Sequence, residues 1–181
     1  FADRSIYIAD SDFIDVPVKK LIDYNYLKER SKLLDRKIKL KKIKPGKLTT
    51  NLSIKWSADN SIELPSTSHI SIVDQYGNAL SMTTTIENGF GSRLMTDGGF
   101  LLNNELTDFS FTSFKNGKKV ANSIEPSKRP RSSMAPTIIL KNNKPVYILG
   151  SPGGSNIIGY VVNAIISMID WKKNAQEAAS V

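Results

Sequence analysis

The sequence has 181 residues, 25 Lys/Arg against 17 Asp/Glu for a net charge of +8, a single histidine and no cysteine. Lack of cysteine excludes a disulfide framework, a thiol nucleophile and a cysteine-ligated metal, and one histidine excludes a histidine-rich metal site. No apolar run is long enough to span a membrane and no signal peptide is visible.

The charge is concentrated in one place. Residues 19–47 hold 12 Lys/Arg against Asp23, Glu29 and Asp35, while the rest of the chain has 13 basic and 14 acidic residues. Residues 1–18 read as a short helix end, an Asp/Ser turn and an extended piece before Pro17. Residues 19–44 place Leu21, Tyr24 and Leu27 at helical spacing, giving a solvated basic helix and tail or an arm for nucleic acid. Pro45-Gly46 ends that stretch, and residues 47–66 read as a polar loop.

At Thr67 the pattern changes. Ile70, Ile72, Leu80 and Met82 alternate with small or polar residues around a turn at Gln75-Tyr76-Gly77, which predicts a hairpin starting at Thr67. If Asp74 pairs with Asn78, Thr67 faces Thr85, with His69, Ser71, Ala79, Ser81 and Thr83 on the same side and the isoleucines on the other. Thr67 is then either an ordinary β-branched residue starting a strand or a nucleophile exposed by chain cleavage. In the second case its new α-amine, with an ordinary pKa of about 7.7–8.0, serves as its own base.

A Gly-rich loop at 87–92 leads to a predicted apolar strand, Gly99-Phe100-Leu101-Leu102, and then to Glu105 and Asp108. These two acids share one face if the turn is helical, as first-turn acids or as a paired cation site. Residues 110–127 read as a polar loop. A second hairpin is predicted from Thr137–Leu140 and Val146–Leu149, turning at Asn142-Asn143. It ends in Gly150-Ser151-Pro152-Gly153-Gly154-Ser155 ahead of a helix with Ile157, Ile158, Val161, Val162, Ile165, Ile166 and Ile169 on one broad face, expected to pack on the sheet. Those glycines are strand-to-helix punctuation or backbone donors for an oxyanion. No Gly-Lys-Ser/Thr follows, which argues against a nucleotide P-loop. Asn174 and Glu177 predict a capping box starting a last helix. With no initiator methionine and a helix begun just before the end, the chain reads as an internal piece of a longer protein.

The stretches Thr67-Ser68-His69, Phe90-Gly91-Ser92, Leu102–Ser110, Arg129–Pro136 and Gly150–Ser155 together resemble the γ-glutamyltransferase (γ-glutamyl transpeptidase) family of N-terminal-nucleophile hydrolases. The resemblance covers nearly the whole chain. It implies an α/β (α+β) fold, part of a four-layer αββα sandwich, with residues 1–66 ending a large subunit and 67–181 beginning a catalytic small subunit. It implies autoproteolysis of a zymogen between Ser66 and Thr67, and then acyl transfer from glutathione or another γ-glutamyl donor to an amino acid, peptide or water. No cofactor and no metal are implied. Thr67 is matched as nucleophile, Thr85 as a hydrogen-bonding partner near its amine, and Gly153 and Gly154 as the oxyanion hole. Glu105 and Asp108 are matched to the donor ammonium, and Ser132 and Ser133 to the donor carboxylate.

Glu87 stands near the substrate amine where many relatives have asparagine, which fits a cation. The 110–127 loop has no tyrosine to match the lid tyrosine of some members, and the family's carboxylate-pairing arginine would lie ahead of Phe1. Implied partners are the remaining parts of both subunits, with no nucleic acid, in a periplasmic or extracellular setting. The alternatives are an amidase on another acyl donor, such as a cephalosporin-type side chain or a poly-γ-glutamate, and a non-catalytic remnant with a basic interaction segment.

Overall fold

The structure is a computed structural model describing residues 1–34, 37, 43–48, 55–59 and 66–180. Much of the basic stretch (Arg36, Lys39, Lys41 and Lys42), parts of the 47–66 loop, and Leu64-Pro65 lie outside the described residues. The chain divides into two compact units, Phe1–Ser61 with Asp108–Arg131, and Ile62–Thr107 with Ser132–Val181.

In the first unit, α1 (Arg4–Tyr7), α2 (Val18–Leu21) and α3 (Tyr24–Ser31) are short. The expected basic helix is therefore two helices in its described part. Asp23 takes an extended conformation and its side chain accepts from the Tyr26 amide at 3.0 Å, so it caps a new helix instead of continuing the old one. Leu21, Tyr26 and Trp56 pack against a cluster of Ile6, Tyr7 and Leu48, whereas Tyr24 and Leu27 stay exposed. Asp3 ties this cluster, accepting from the Tyr26 hydroxyl at 2.9 Å and the Gly46 amide at 2.7 Å.

The predicted polar loop at 110–127 is an ordered, partly buried segment. β3 (Phe114–Lys115) and β4 (Lys118–Lys119) pair around Asn116-Gly117, both at positive φ (52° and 72°). That is the type I′ turn Asn-Gly favours. Behind it, Val120, Ala121, Asn122 and Ser123 are each 1% exposed.

In the second unit, β1 (Ser68–Val73) and β2 (Ala79–Thr84) form the predicted hairpin in the predicted register, Ser68 opposite Thr84 and Val73 opposite Ala79. Asp74 closes its turn, accepting from the Tyr76 and Asn78 amides and the Asn78 side chain. β5 (Thr137–Lys141) and β6 (Lys144–Leu149) form the second hairpin, with a register shift between Ile139 and Leu140. The hydroxyl-bearing face of the first hairpin meets the second: Ser81 Oγ donates to the Leu149 carbonyl at 3.0 Å and accepts from the Thr137 amide at 3.1 Å. The face carrying Ile70, Ile72, Leu80 and Met82 is exposed.

Two expectations change here. Gly99–Leu102 makes only a bridge between Leu101 and Met95, because Thr96 and Phe100 close a tight turn in which the Thr96 amide donates to the Phe100 carbonyl at 2.9 Å. Helix α4 (Ile157–Ile169) forms as expected, but its buried apolar residues are Ile157, Val161 and Met168, while Val162 and Ile169 are exposed. The buried spacing of four and seven marks a narrower stripe than the seven-residue face expected. A cavity of about 710 Å³ is lined by Ile72, Val146 and Ile148 of the strands and by Tyr160, Ala164 and Met168 of α4, among others. Helix α5 (Ala175–Ala179) begins with the predicted Asn174/Glu177 capping box.

Candidate active site

Thr67 is the residue before β1, not its first. Its φ is 102°, in the left-handed region that a β-branched residue rarely occupies. Such a conformation costs about 1–3 kcal/mol and persists only where surroundings impose it. One restraint is visible next to it: the Gly153 amide donates to the Ser66 carbonyl at 2.9 Å. The peptide group joining Ser66 to Thr67 is thus strained on one side and has its carbonyl oxygen on a backbone donor.

Gly153 is fitted to that position. Its φ is 131°, and a Cβ there would lie 2.8 Å from the Tyr160 ring. It caps a 3₁₀ turn, Gly154–Asn156, that runs into α4, with Gly154 itself at φ 57°. At this loop-to-helix junction the Gly153 amide meets the carbonyl preceding Thr67.

The β1–β2 ladder closes at Ser68–Thr84, so the next pair in that register is Thr67 with Thr85. Thr85 Oγ1 accepts from the Glu87 amide at 2.8 Å. Glu87 is buried, at φ 70°, and its carboxylate accepts from Asn104 Nδ2. Asn104 also accepts from the Asn88 amide at 3.0 Å, and its Nδ2 lies 3.2 Å from Thr107 Oγ1. Asn104 therefore fixes Glu87, a role its place in an Asn-Asn pair did not signal. Glu105 and Asp108 bound a single 3₁₀ turn, in which residues three apart eclipse, as the helical reading required. Ser132 is exposed and its Oγ accepts from the Met134 amide at 3.1 Å, while Ser133 is buried.

His69 is placed by the hairpin two residues beyond Thr67. Its Nδ1 is 2.8 Å from Thr83 Oγ1 and its Nε2 3.1 Å from Ser71 Oγ. The ring occupies the space a Cβ on Gly150 would need, coming within 2.1 Å of it. Burial pushes its pKa below the ordinary 6.5. Among the described residues, no group of three or more His, Cys, Asp or Glu is placed to hold a metal.

Asp108 belongs to the first unit, and its backbone is held there by a polar network. Asn122 Nδ2 donates to the Asp108 carbonyl at 2.8 Å and to Asp59 Oδ2 at 3.0 Å, and Asn122 Oδ1 accepts from the Arg131 amide at 3.0 Å. Arg131 pairs with Asp59 at 3.0 Å, the two side chains being 5% and 0% exposed. Nearby, Arg129 covers Asp10 with its backbone amide, Nε and Nη2, which holds the Asp10 carboxyl far below the usual carboxylate range. Nothing in the sequence marked Asp59 or Asn122, since both sit in stretches that read as polar loop.

A family model described as gamma-glutamyltranspeptidase matches residues 1–181. The chain is 40% identical over 178 residues to a glutathione hydrolase proenzyme of Bacillus subtilis, covering 94% of this chain and 29% of that protein. It is 36% identical over 179 residues to the acylase ACY 1 proenzyme of Pseudomonas sp. strain SE83, covering 98% and 29%. Among solved structures, a mutant gamma-glutamyltranspeptidase of Helicobacter pylori aligns with a TM-score of 0.55 at 50% identity, over 61% of this chain and 62% of that one. The chain spans less than a third of the length of these curated relatives.

Proposed function

The chain belongs to the gamma-glutamyltranspeptidase family, and we propose that the protein containing it cuts itself between Ser66 and Thr67 and then transfers γ-glutamyl groups from glutathione or related donors to water or an amino-acid amine. The observation that supports this best is the Gly153 amide on the Ser66 carbonyl, 2.9 Å away, beside a Thr67 held at φ 102°. Attack of Thr67 Oγ1 on that carbonyl carbon places negative charge on the oxygen facing Gly153. Collapse breaks the Ser66–Thr67 C–N bond and leaves an ester, which water hydrolyses to free the Thr67 amine and hydroxyl. The cut yields residues 1–66 as the end of one subunit and 67–181 as the start of the other.

In turnover the same hydroxyl attacks the donor's γ-carbonyl, and the Thr67 amine takes its proton and returns it to the leaving amine. Thr85 orients that amine, and the amides of Gly153 and Gly154 receive the oxyanion, where losing one donor costs about 3 kcal/mol of transition-state binding. Glu87, Glu105 and Asp108 receive the donor ammonium, and Ser132 and Ser133 its carboxylate. The resemblance extends this to a four-layer αββα sandwich completed by residues beyond this chain, and to a periplasmic or extracellular setting. The 181 residues alone should lack turnover, because hydroxyls bind a carboxylate about half as strongly as a charged donor does and the family's arginine is not among them.

The test is intact mass and turnover of the full-length protein. A subunit beginning at Thr67 is expected, with cleavage and γ-glutamyl anilide turnover both abolished by Thr67→Ala. An active preparation with the Ser66–Thr67 bond intact overturns the mechanism. The similarity to an acylase supports a second reading, an amidase on another acyl donor; faster turnover of such a donor than of glutathione would select it.

A further inference from the structure

We propose that Asn122 is a positioning residue for donor binding, holding Asp108 in place, with an anchor that lies on the far side of the cleavage. This rests on the reading of Asp108 as a donor-ammonium ligand. Asn122 is 1% exposed, and each of its bonds fixes the identity of an atom. The Arg131 amide donates, so it needs the side-chain oxygen; the Asp59 carboxylate and the Asp108 carbonyl accept, so they need both protons of Nδ2. One amide therefore ties the backbone of Asp108 to the backbone of Arg131, the residue ahead of Ser132.

The anchor is Asp59. Its carboxylate also binds the Arg131 guanidinium, and its amide donates to the Ser5 carbonyl at 2.9 Å, so its backbone is fixed to the N-terminal segment and its side chain to the network. Asp59 precedes the Ser66–Thr67 bond, whereas Asn122, Arg131 and Asp108 follow it. After the cut, the placement of Asp108 depends on a residue from the other product. Aspartate lacks the two donors and adds charge beside Asp59, and alanine removes all three bonds.

The experiment uses the full-length protein carrying Asn122→Ala or Asn122→Asp, with Asp108→Ala and the Asn122→Ala/Asp108→Ala double variant in parallel. Self-cleavage is read by mass, and KM and kcat with γ-glutamyl anilide. Asn122→Ala should retain cleavage and raise the donor KM about tenfold, with kcat changed less than about twofold. The rise should vanish in the Asp108→Ala background, since the residue acts through Asp108. Asn122→Asp, which keeps the size of the side chain, should raise KM in the same way; if the alanine variant does not fold, the aspartate variant and Asp59→Asn decide. An unchanged KM in a cleaved variant overturns the proposal, as does a fall in kcat alone, which marks lost folded protein. If Asp108→Ala itself leaves KM unchanged, the ammonium assignment fails instead.

Discussion

The two units hold themselves together by opposite means. In the first, Asp59, Arg131 and Asn122 are almost fully buried and Lys128 has no side-chain exposure, each with a partner of fixed geometry. The second joins its hairpins through the two bonds of Ser81, while Ile70, Ile72, Leu80 and Met82 are each at least 40% exposed and a cavity of about 710 Å³ lies under α4. The first unit thus adds polar partners of fixed geometry to its apolar cluster of Ile6, Tyr7 and Leu48. The second has apolar surface that contributes little to its stability as it stands, because half-exposed side chains recover only part of the transfer free energy.

The largest expected effect follows from that difference. Asp59→Ala takes the carboxylate away from the Arg131 guanidinium, whose side chain is 5% exposed, and removes an acceptor from Asn122. Removing one partner of a buried ion pair costs about 3–5 kcal/mol, whereas Ile70→Ser on the open face should cost under about 1 kcal/mol. Urea midpoints of the two variants test this. Equal losses would show that the sheet face is as stabilising as the buried pair and would remove the contrast.

Next in size is Gly153→Ala, where the second unit should prove strict at one point. The added methyl meets the Tyr160 ring at 2.8 Å in a backbone at φ 131°. Strain of about 1–3 kcal/mol would slow self-cleavage of the full-length protein roughly tenfold to a hundredfold. The rate of appearance of the Thr67 subunit measures it, and an unchanged rate would mean that the Gly153 amide is not needed at the Ser66 carbonyl.

The same division explains what could be read from the sequence. Alternation and turn residues gave both large hairpins, the register of the first and α5, because these are set by neighbours close along the chain. Asn116-Gly117 carried an equally local signal for the β3–β4 turn, which the reading of 110–127 as a polar loop passed over. The motifs pointed to Thr67, Gly153 and the Glu105–Asp108 turn. The Asp59–Asn122–Arg131 network stayed hidden, since its members are 63 and 9 residues apart and only the fold makes them partners. The outward-facing isoleucines were hidden for the reverse reason: a pattern separates two faces without saying which one is covered.

A smaller effect is expected at a local feature of the second unit. Asn174→Ala removes the acceptor of the Glu177 amide, 2.9 Å away, and opens the capping box of α5. Helix caps are worth about 1 kcal/mol, and the urea midpoint should fall accordingly. A loss as large as that of Asp59→Ala would mean that α5 supports far more than its own five residues.

The smallest effect is a pH dependence that separates the units by their titrating groups. Burial lowers the His69 pKa below 6.5, so the folded state favours the neutral ring between Thr83, Ser71 and Gly150. Below its ordinary value the unfolded chain takes up the proton first, and stability then rises with pH across that window. The contribution of His69 is complete above about pH 6.5 and is lost as pH falls through the folded-state value. Asp10 and Glu125 in the first unit are also lowered, by Arg129 and by Lys128 with Lys119, but as carboxylates they lose their contribution only in the more acidic range. Between pH 7 and 5 the urea midpoint of the chain should therefore fall more steeply than that of His69→Asn, with the two curves converging toward acid. Parallel curves over that range would show that the ring gains its proton in place and that its packing on Gly150 does not depend on neutrality.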